Sequence, residues 1–290
     1  MCGTYNSLQF ARVVKLVDTR DLKSLGLIGR TGSIPVPGTN LILCAKPMTA
    51  LSVNVNKLAL LRNSRGRNFP DIGNFARRFL ELGVHGITVH PRPDQRHVRF
   101  DDLPVLSDIV SNFPGREFNI EGYPSEDFLQ MVIAAKPHQC TLVPDAAEQL
   151  TSDHGWNLHQ HALWLQDRVV RLQANNIRVS LFLDPDPAQA ELAATTGADR
   201  IELYTESYAA AFGTPAMGRV LEQFRLATRA AVAAGLSVNA GHDLDLLNLP
   251  EFLAADAVLE VSIGHALIVE CIEQGIETVI SQYLQICNGR

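Results

Sequence analysis

From Met48 onward, short apolar runs alternate with longer segments whose apolar residues recur every three or four positions. The short runs, at 51–55, 87–90, 117–121, 140–143, 178–183, 200–204, 236–240 and 258–263, read as strands. The longer segments, at 70–82, 103–112, 125–135, 156–175, 187–196, 218–234 and 266–284, read as helices, several stopped by glycine (Gly83, Gly197, Gly235). Strand alternating with helix predicts an α/β architecture, and eight strands in about 240 residues suit a single-domain (β/α)8 TIM barrel. An open dinucleotide-binding sheet would want a GxGxxG turn after its first strand, and Leu51-Ser-Val-Asn-Val-Asn-Lys57 has no glycine.

Polar residues collect where these strands end. In order they are Asn54 and Asn56, His90, Glu121, Thr141, Asp184, Glu202 with Thr205, Asn239 with His242, and Ser262 with His265. The C-terminal rim of a barrel is the face that carries chemistry. Singly, each has a bland reading: His90 as a hydrogen-bonded structural histidine, Glu121 as a cap on the next helix, Arg62 and Arg65 as a solvated loop. Three histidines and one or two carboxylates on one rim point to an enzyme, because so many costly polar groups have no structural need to converge. His90 leads into a loop with Arg92, Arg96 and His97, where Pro91 and Pro93 end the strand. Gly241 and Gly264, with the helix after the last strand, suit a phosphate site. Arg62, Arg65, Arg92 and Arg96 would add a second anion site across the mouth, as two phosphorylated substrates or one bisphosphate require. His90, Glu121, Glu202 and His242 are metal-ligand types, but no two share an i, i+2 or i, i+4 spacing. No metal is predicted.

Composition narrows the class. The chain has 290 residues, 46% hydrophobic and 19% charged, and a net charge of −6, which argues against general nucleic-acid binding. No run approaches the roughly 18 apolar residues of a membrane span. The five cysteines are scattered without metal spacing, which suits free thiols in a reducing cytoplasm. Residues 1–47 differ: six basic side chains against two acidic ones make them +4, leaving −10 for the remainder. Residues 12–25 resemble a conceptually translated tRNA gene, and Met48 stands just before the first strand. We expect 1–47 to be a start-site artefact or disordered extension, and 48–290 to be the catalytic barrel.

Seven segments resemble the pyridoxine 5′-phosphate synthase family: Val53-Asn-Val-Asn-Lys-Leu-Ala-Leu-Leu-Arg-Asn-Ser-Arg-Gly66, Gly86-Ile-Thr-Val-His-Pro-Arg-Pro-Asp-Gln-Arg-His97, Phe118-Asn-Ile-Glu121, Leu142-Val-Pro144, Val179-Ser-Leu-Phe-Leu-Asp184, Val238-Asn-Ala-Gly-His242 and Ile263-Gly-His-Ala266. The resemblance covers every strand in order and none of residues 1–47. It implies a (β/α)8 barrel that condenses 1-deoxy-D-xylulose 5-phosphate with 3-amino-2-oxopropyl phosphate to pyridoxine 5′-phosphate, phosphate and water. It implies no metal or organic cofactor, and a homo-oligomer of two to eight copies. By the same resemblance His90 and Glu121 accept protons and His242 donates one. Asn54, Asp243, Gly264 and His265 would contact the aminoketone phosphate. Arg65, Arg92, His97 and Thr151 would contact the deoxyxylulose phosphate, with Asn56 and Lys57 also at the substrates and Glu202 on a family strand-end carboxylate. The bottom-up chemistry agrees, since ring closure needs several acid–base groups working near neutrality and arginines that hold phosphate.

The chain departs from the family in three places. Asn56-Lys57 replaces an Asp-His pair, Asp243 replaces a glycine, and Glu206 replaces another. An anion at 243 should repel a phosphate unless its side chain turns away or binds a backbone amide. The competing readings are another phosphosugar barrel enzyme, such as an isomerase or an aldolase, and an inactive barrel that binds phosphometabolites. An aldolase would want a strand-end lysine, and only Lys57 is near one.

Overall fold

The computed structural model describes residues 48–145, 152–255 and 258–289, so the expected N-terminal extension lies outside it. Eight parallel strands follow in chain order: β1 (Ala50–Asn54), β2 (Gly86–Val89), β3 (Glu117–Gly122), β4 (Gln139–Leu142), β5 (Arg178–Leu183), β6 (Arg200–Tyr204), β7 (Ser237–Gly241) and β8 (Glu260–Ile263). β8 pairs back onto β1, with Val53 opposite Ile263, and closes the barrel. The (β/α)8 expectation holds.

The helices are α1 (Asn56–Asn63), α2 (Ile72–Glu81), α3 (Asp102–Ser111), α4 (Glu126–Ala135), α5 (Leu158–Gln173), α6 (Pro187–Ala193), α7 (Glu206–Ala211), α8 (Met217–Ala233), α9 (Leu249–Ala255), α10 (His265–Gln274) and α11 (Ile276–Cys287). Local chemistry starts several of them. Asp71 accepts the Asn74 N–H, Ser125 that of Phe128, and Asp186 that of Ala188 just before Pro187. Three short helices, α1, α7 and α9, stand where none was expected. The single closing helix expected at 266–284 is two, because Gly275 adopts φ 89° and ψ 144° and breaks it.

Period-two alternation within the strands sorts the residues. Leu51, Val53, Ile87, Val89, Phe118, Ile120, Val179, Leu181, Ile201 and Leu203 are buried in the main core with helix residues such as Phe79, Leu106, Val169 and Phe224. The alternate positions are mostly polar and face the barrel interior. Hydrogen bonds joining non-adjacent strands establish this, since they can only cross the inside: Thr141 Oγ1 to Glu202 Oε2 (3.2 Å), Arg200 Nη1 to Glu260 Oε2 (3.0 Å), and Arg178 to Glu117. Ser52, Thr88 and Asn119 line the same interior, with 2.7 Å between the Ser52 and Thr88 hydroxyls. Barrel interiors are more often layered with branched apolar side chains. Here the dry core lies outside the strands, and polar groups fill the middle.

Candidate active site

The site begins where β1 ends. Asn54 accepts the Asn56 N–H on Oδ1 (3.0 Å), and its Nδ2 donates to Glu121 Oε2 on β3 (3.3 Å). Asn56 in turn accepts the backbone N–H of His90 on Oδ1 (3.0 Å). Two asparagines, one ending β1 and one just after it, thus tie together the ends of β2 and β3. Gly264 packs against Asn54, where an added Cβ would stand 3.1 Å from the Asn54 Cβ.

His90 is 7% exposed, with the His97 ring centroid 6.4 Å from its own. Burial, and then the charges of Arg92, His97 and Arg96, hold its pKa well below the usual value, so its imidazole is neutral at pH 7. Burial and Arg92 and Arg96 similarly bring His97 down to about 4. The carboxyls move the other way. Burial raises Glu121 well above the ordinary range, reinforced by Glu202, Asp145 and Glu260 and opposed by Arg92. Glu202 is 3% exposed and is pushed up to about 8 by burial and Glu260, against the hydrogen bond from Thr141. A Cβ on Gly241 would lie 2.4 Å from Glu202 Oε1, so glycine at that position makes room for this carboxyl. A histidine whose proton affinity is lowered, on the same rim as glutamates whose proton affinity is raised, is an arrangement suited to moving protons.

On the far side of the mouth, His242 follows β7. Its ring meets Tyr204 edge-on at 5.1 Å, and its Nδ1 lies 2.8 Å from Asp243 Oδ2. Tyr204, Phe182 and Val143 form a small apolar cluster apart from the main core. Asp243 therefore turns to its neighbouring histidine, and among the described residues no backbone amide donates to its side chain.

The arginines behave less uniformly than expected. Arg62 is corrected: it is 1% exposed, and it grips Asp102 through both nitrogens (2.7 and 2.9 Å) and donates to the His97 carbonyl. A guanidinium sealed in a bidentate pair belongs to the scaffold and does not clamp phosphate. Its neighbour Asn63 donates through Nδ2 toward the carbonyls of Gln95, Arg96 and His97 (3.2, 3.1 and 2.7 Å), so α1 holds the loop after β2. Arg92 is buried against Asp145 (2.5 Å), which Ser152 also reaches, and Arg96 bonds Asp94. Arg65, Lys57 and His265 are exposed, the last opening α10, and Thr151 lies outside the described residues. Asn54, Asn56, His90, His97, Glu121, Glu202 and Gly264 thus come together, while among the described residues Arg65 makes no side-chain hydrogen bond or ion pair with them.

Sequence reasoning missed Asp145, Asn63 and Asn248 as supporting residues. Asp145 directly follows the Leu142-Val-Pro144 motif and Asn63 lies inside the first motif, which was the available signal. Among the described residues no three His, Cys, Asp or Glu side chains are grouped to hold a metal, and no helix is long and apolar enough to cross a membrane.

Comparison with known proteins points one way. Residues 51–289 match the family described as pyridoxal phosphate biosynthesis protein PdxJ. The pyridoxine 5′-phosphate synthase of Agrobacterium fabrum is 49% identical over 245 residues, covering 83% of this chain and 98% of the relative. That of Allorhizobium ampelinum is 50% identical over 243 residues, covering 82% and 97%. Among solved structures, Mycobacterium tuberculosis tryptophan synthase superposes with a TM-score of 0.56 at 12% identity, over 83% of this chain and 93% of that one. At that identity the likeness concerns the fold alone.

Proposed function

The chain belongs to the pyridoxine 5′-phosphate synthase family, and on that premise we propose that its barrel mouth joins 1-deoxy-D-xylulose 5-phosphate to 3-amino-2-oxopropyl phosphate, releasing pyridoxine 5′-phosphate, phosphate and water. The observation that carries this reading is the Asn54–Asn56 bridge, which ties the ends of the strands bearing His90, shifted down, and Glu121, shifted up. Ring closure through imine formation and dehydration needs groups of this kind, able to give and take protons near pH 7. His90 accepts a proton. Glu121, whose proton affinity is raised by burial and the neighbouring carboxyls, takes the proton that the aminoketone's ammonium releases as it becomes the nucleophilic amine of imine formation. His242 donates from the opposite side. Asn54, the backbone at Asp243, Gly264 and His265 face the aminoketone phosphate, and Arg65, Arg92, His97 and Thr151 the deoxyxylulose phosphate. Asn56 and Lys57 complete the substrate side, with Glu202 as a strand-end carboxyl able to exchange a proton with the intermediates. The family premise also extends to a cytoplasmic homo-oligomer that takes only these two small molecules. Purified protein given both substrates should release pyridoxine 5′-phosphate and inorganic phosphate; no product from a folded protein retaining His90 and Glu121 would leave a phosphometabolite-binding barrel instead.

A further inference from the structure

β7 ends in a backbone turn that L residues rarely adopt. His242 and Asp243 sit at φ 82° and 55°, both left-handed and neither glycine. Such positions are held only where the surroundings enforce them, and here they do. Thr205 Oγ1 donates to the Gly241 carbonyl (2.8 Å) and also contacts that of His242. Asn248 Nδ2 donates to the Asp243 carbonyl (3.1 Å), while the Tyr208 hydroxyl fixes the Asn248 carbonyl (2.8 Å). The turn brings the two neighbouring side chains together, His242 Nδ1 to Asp243 Oδ2 at 2.8 Å, while Tyr204 backs the imidazole at 5.1 Å.

A carboxylate can only accept, so the hydrogen in this bond is on Nδ1, and proton exchange falls to Nε2. We propose that Asp243 is a positioning residue for His242, fixing the Nδ1–H tautomer and the ring orientation so that Nε2 faces the reaction. This rests on the proton-donating role proposed for His242. It also accounts for an anion where many family members carry glycine. The carboxylate is turned to an imidazole and does not face the aminoketone phosphate directly. Asp243 titrates below the usual carboxylate range, first because of the His242 hydrogen bond and then through the charges of His242, His265 and Lys57, with burial opposing. The nearby cations thus offset the charge that would otherwise repel a phosphate.

The test uses the full chain with Asp243→Gly and Asp243→Asn. Glycine suits the left-handed turn and removes the acceptor; asparagine tolerates the turn and keeps an oxygen for Nδ1–H. Steady-state kinetics should give a kcat lowered about tenfold or more in Asp243→Gly, with KM for both substrates within about twofold, and a smaller loss in Asp243→Asn. The ¹⁵N resonances of the His242 ring, assigned with His242→Gln, should report Nδ1–H in wild type and Asp243→Asn but a mixture with Nε2–H in Asp243→Gly. An unchanged tautomer in Asp243→Gly would overturn the proposal. So would a changed KM for the aminoketone phosphate at intact kcat, or an asparagine variant no better than glycine. The ring spectra do not depend on turnover. A wild type that made no product would therefore defeat the proposed reaction, while the spectra alone would still decide the His242–Asp243 link.

Discussion

The barrel interior has two ends built from the same residue type and treated oppositely. At the N-terminal end, Glu117 is held by Arg178 and Glu260 by Arg200, with Gln139 and Asn239 completing the bonds (2.9 and 3.1 Å). At the C-terminal mouth, Glu121 has an asparagine and Glu202 a threonine, and among the described residues neither has an ion-pair partner. Burial works to raise all four. At Glu117 the hydrogen bonds and charge of Arg178 outweigh it and the carboxyl titrates low, whereas Glu202 rises to about 8 and Glu121 well above its usual value. Glu260 is raised by burial in spite of Arg200. An arginine commits a carboxylate to structure, and withholding one leaves it able to exchange protons.

The comparison is broken most severely at the mouth. His90→Ala or Glu121→Gln should lower turnover by about 10²-fold or more, the usual worth of a general acid or base, with the far-ultraviolet circular dichroism unchanged; wild-type rates in either would refute the roles. At the paired end the effect should fall on stability. Glu260→Gln leaves the mostly buried Arg200 without its carboxylate and should cost about 2–3 kcal/mol, measured as a shift in the urea midpoint. A third substitution sharpens the contrast through pH. Because folding raises the Glu202 pKa from 4.5 to about 8, the native state keeps a proton that the unfolded chain has lost. Its stability is therefore fully present below pH 4.5 and falls as pH rises through about 8. Glu202→Gln should flatten that loss, gaining on wild type between pH 5 and pH 9 by an amount on the order of 1–3 kcal/mol, read from thermal midpoints across the range. The smallest change is expected from Lys57→His, an exposed position, where KM should move by only about twofold to threefold, consistent with the low worth of solvated charge.

Much of this was legible in the chain. The strands at 178–183 and 200–204 coincide with the expected residues, and the strand-end polar residues led to the mouth. The short helices escaped because α1, α7 and α9 have only eight, six and seven residues, too few for a helical period to stand out. The fate of Arg62 was not legible: its partner, Asp102, is 40 positions away, and nothing local distinguishes a sealed guanidinium from a solvated one. The role of Asp243 needed backbone angles, since a carboxylate beside a histidine in sequence reaches it only through an unusual turn. Family resemblance supplied the residue list, and geometry separated residues that can exchange protons from those that hold them in place.

The alternation within each strand has an evolutionary consequence. Outward positions such as Val53, Ile120, Leu181 and Leu203 carry the dry core, and inward neighbours such as Asn54, Glu121, Ser180 and Glu202 carry the polar lining. Adjacent letters of the sequence are thus under separate selection. Reactivity can drift through one set while foldability is guarded by the other, and a one-residue insertion within a strand, which exchanges the two sets, would forfeit both at once.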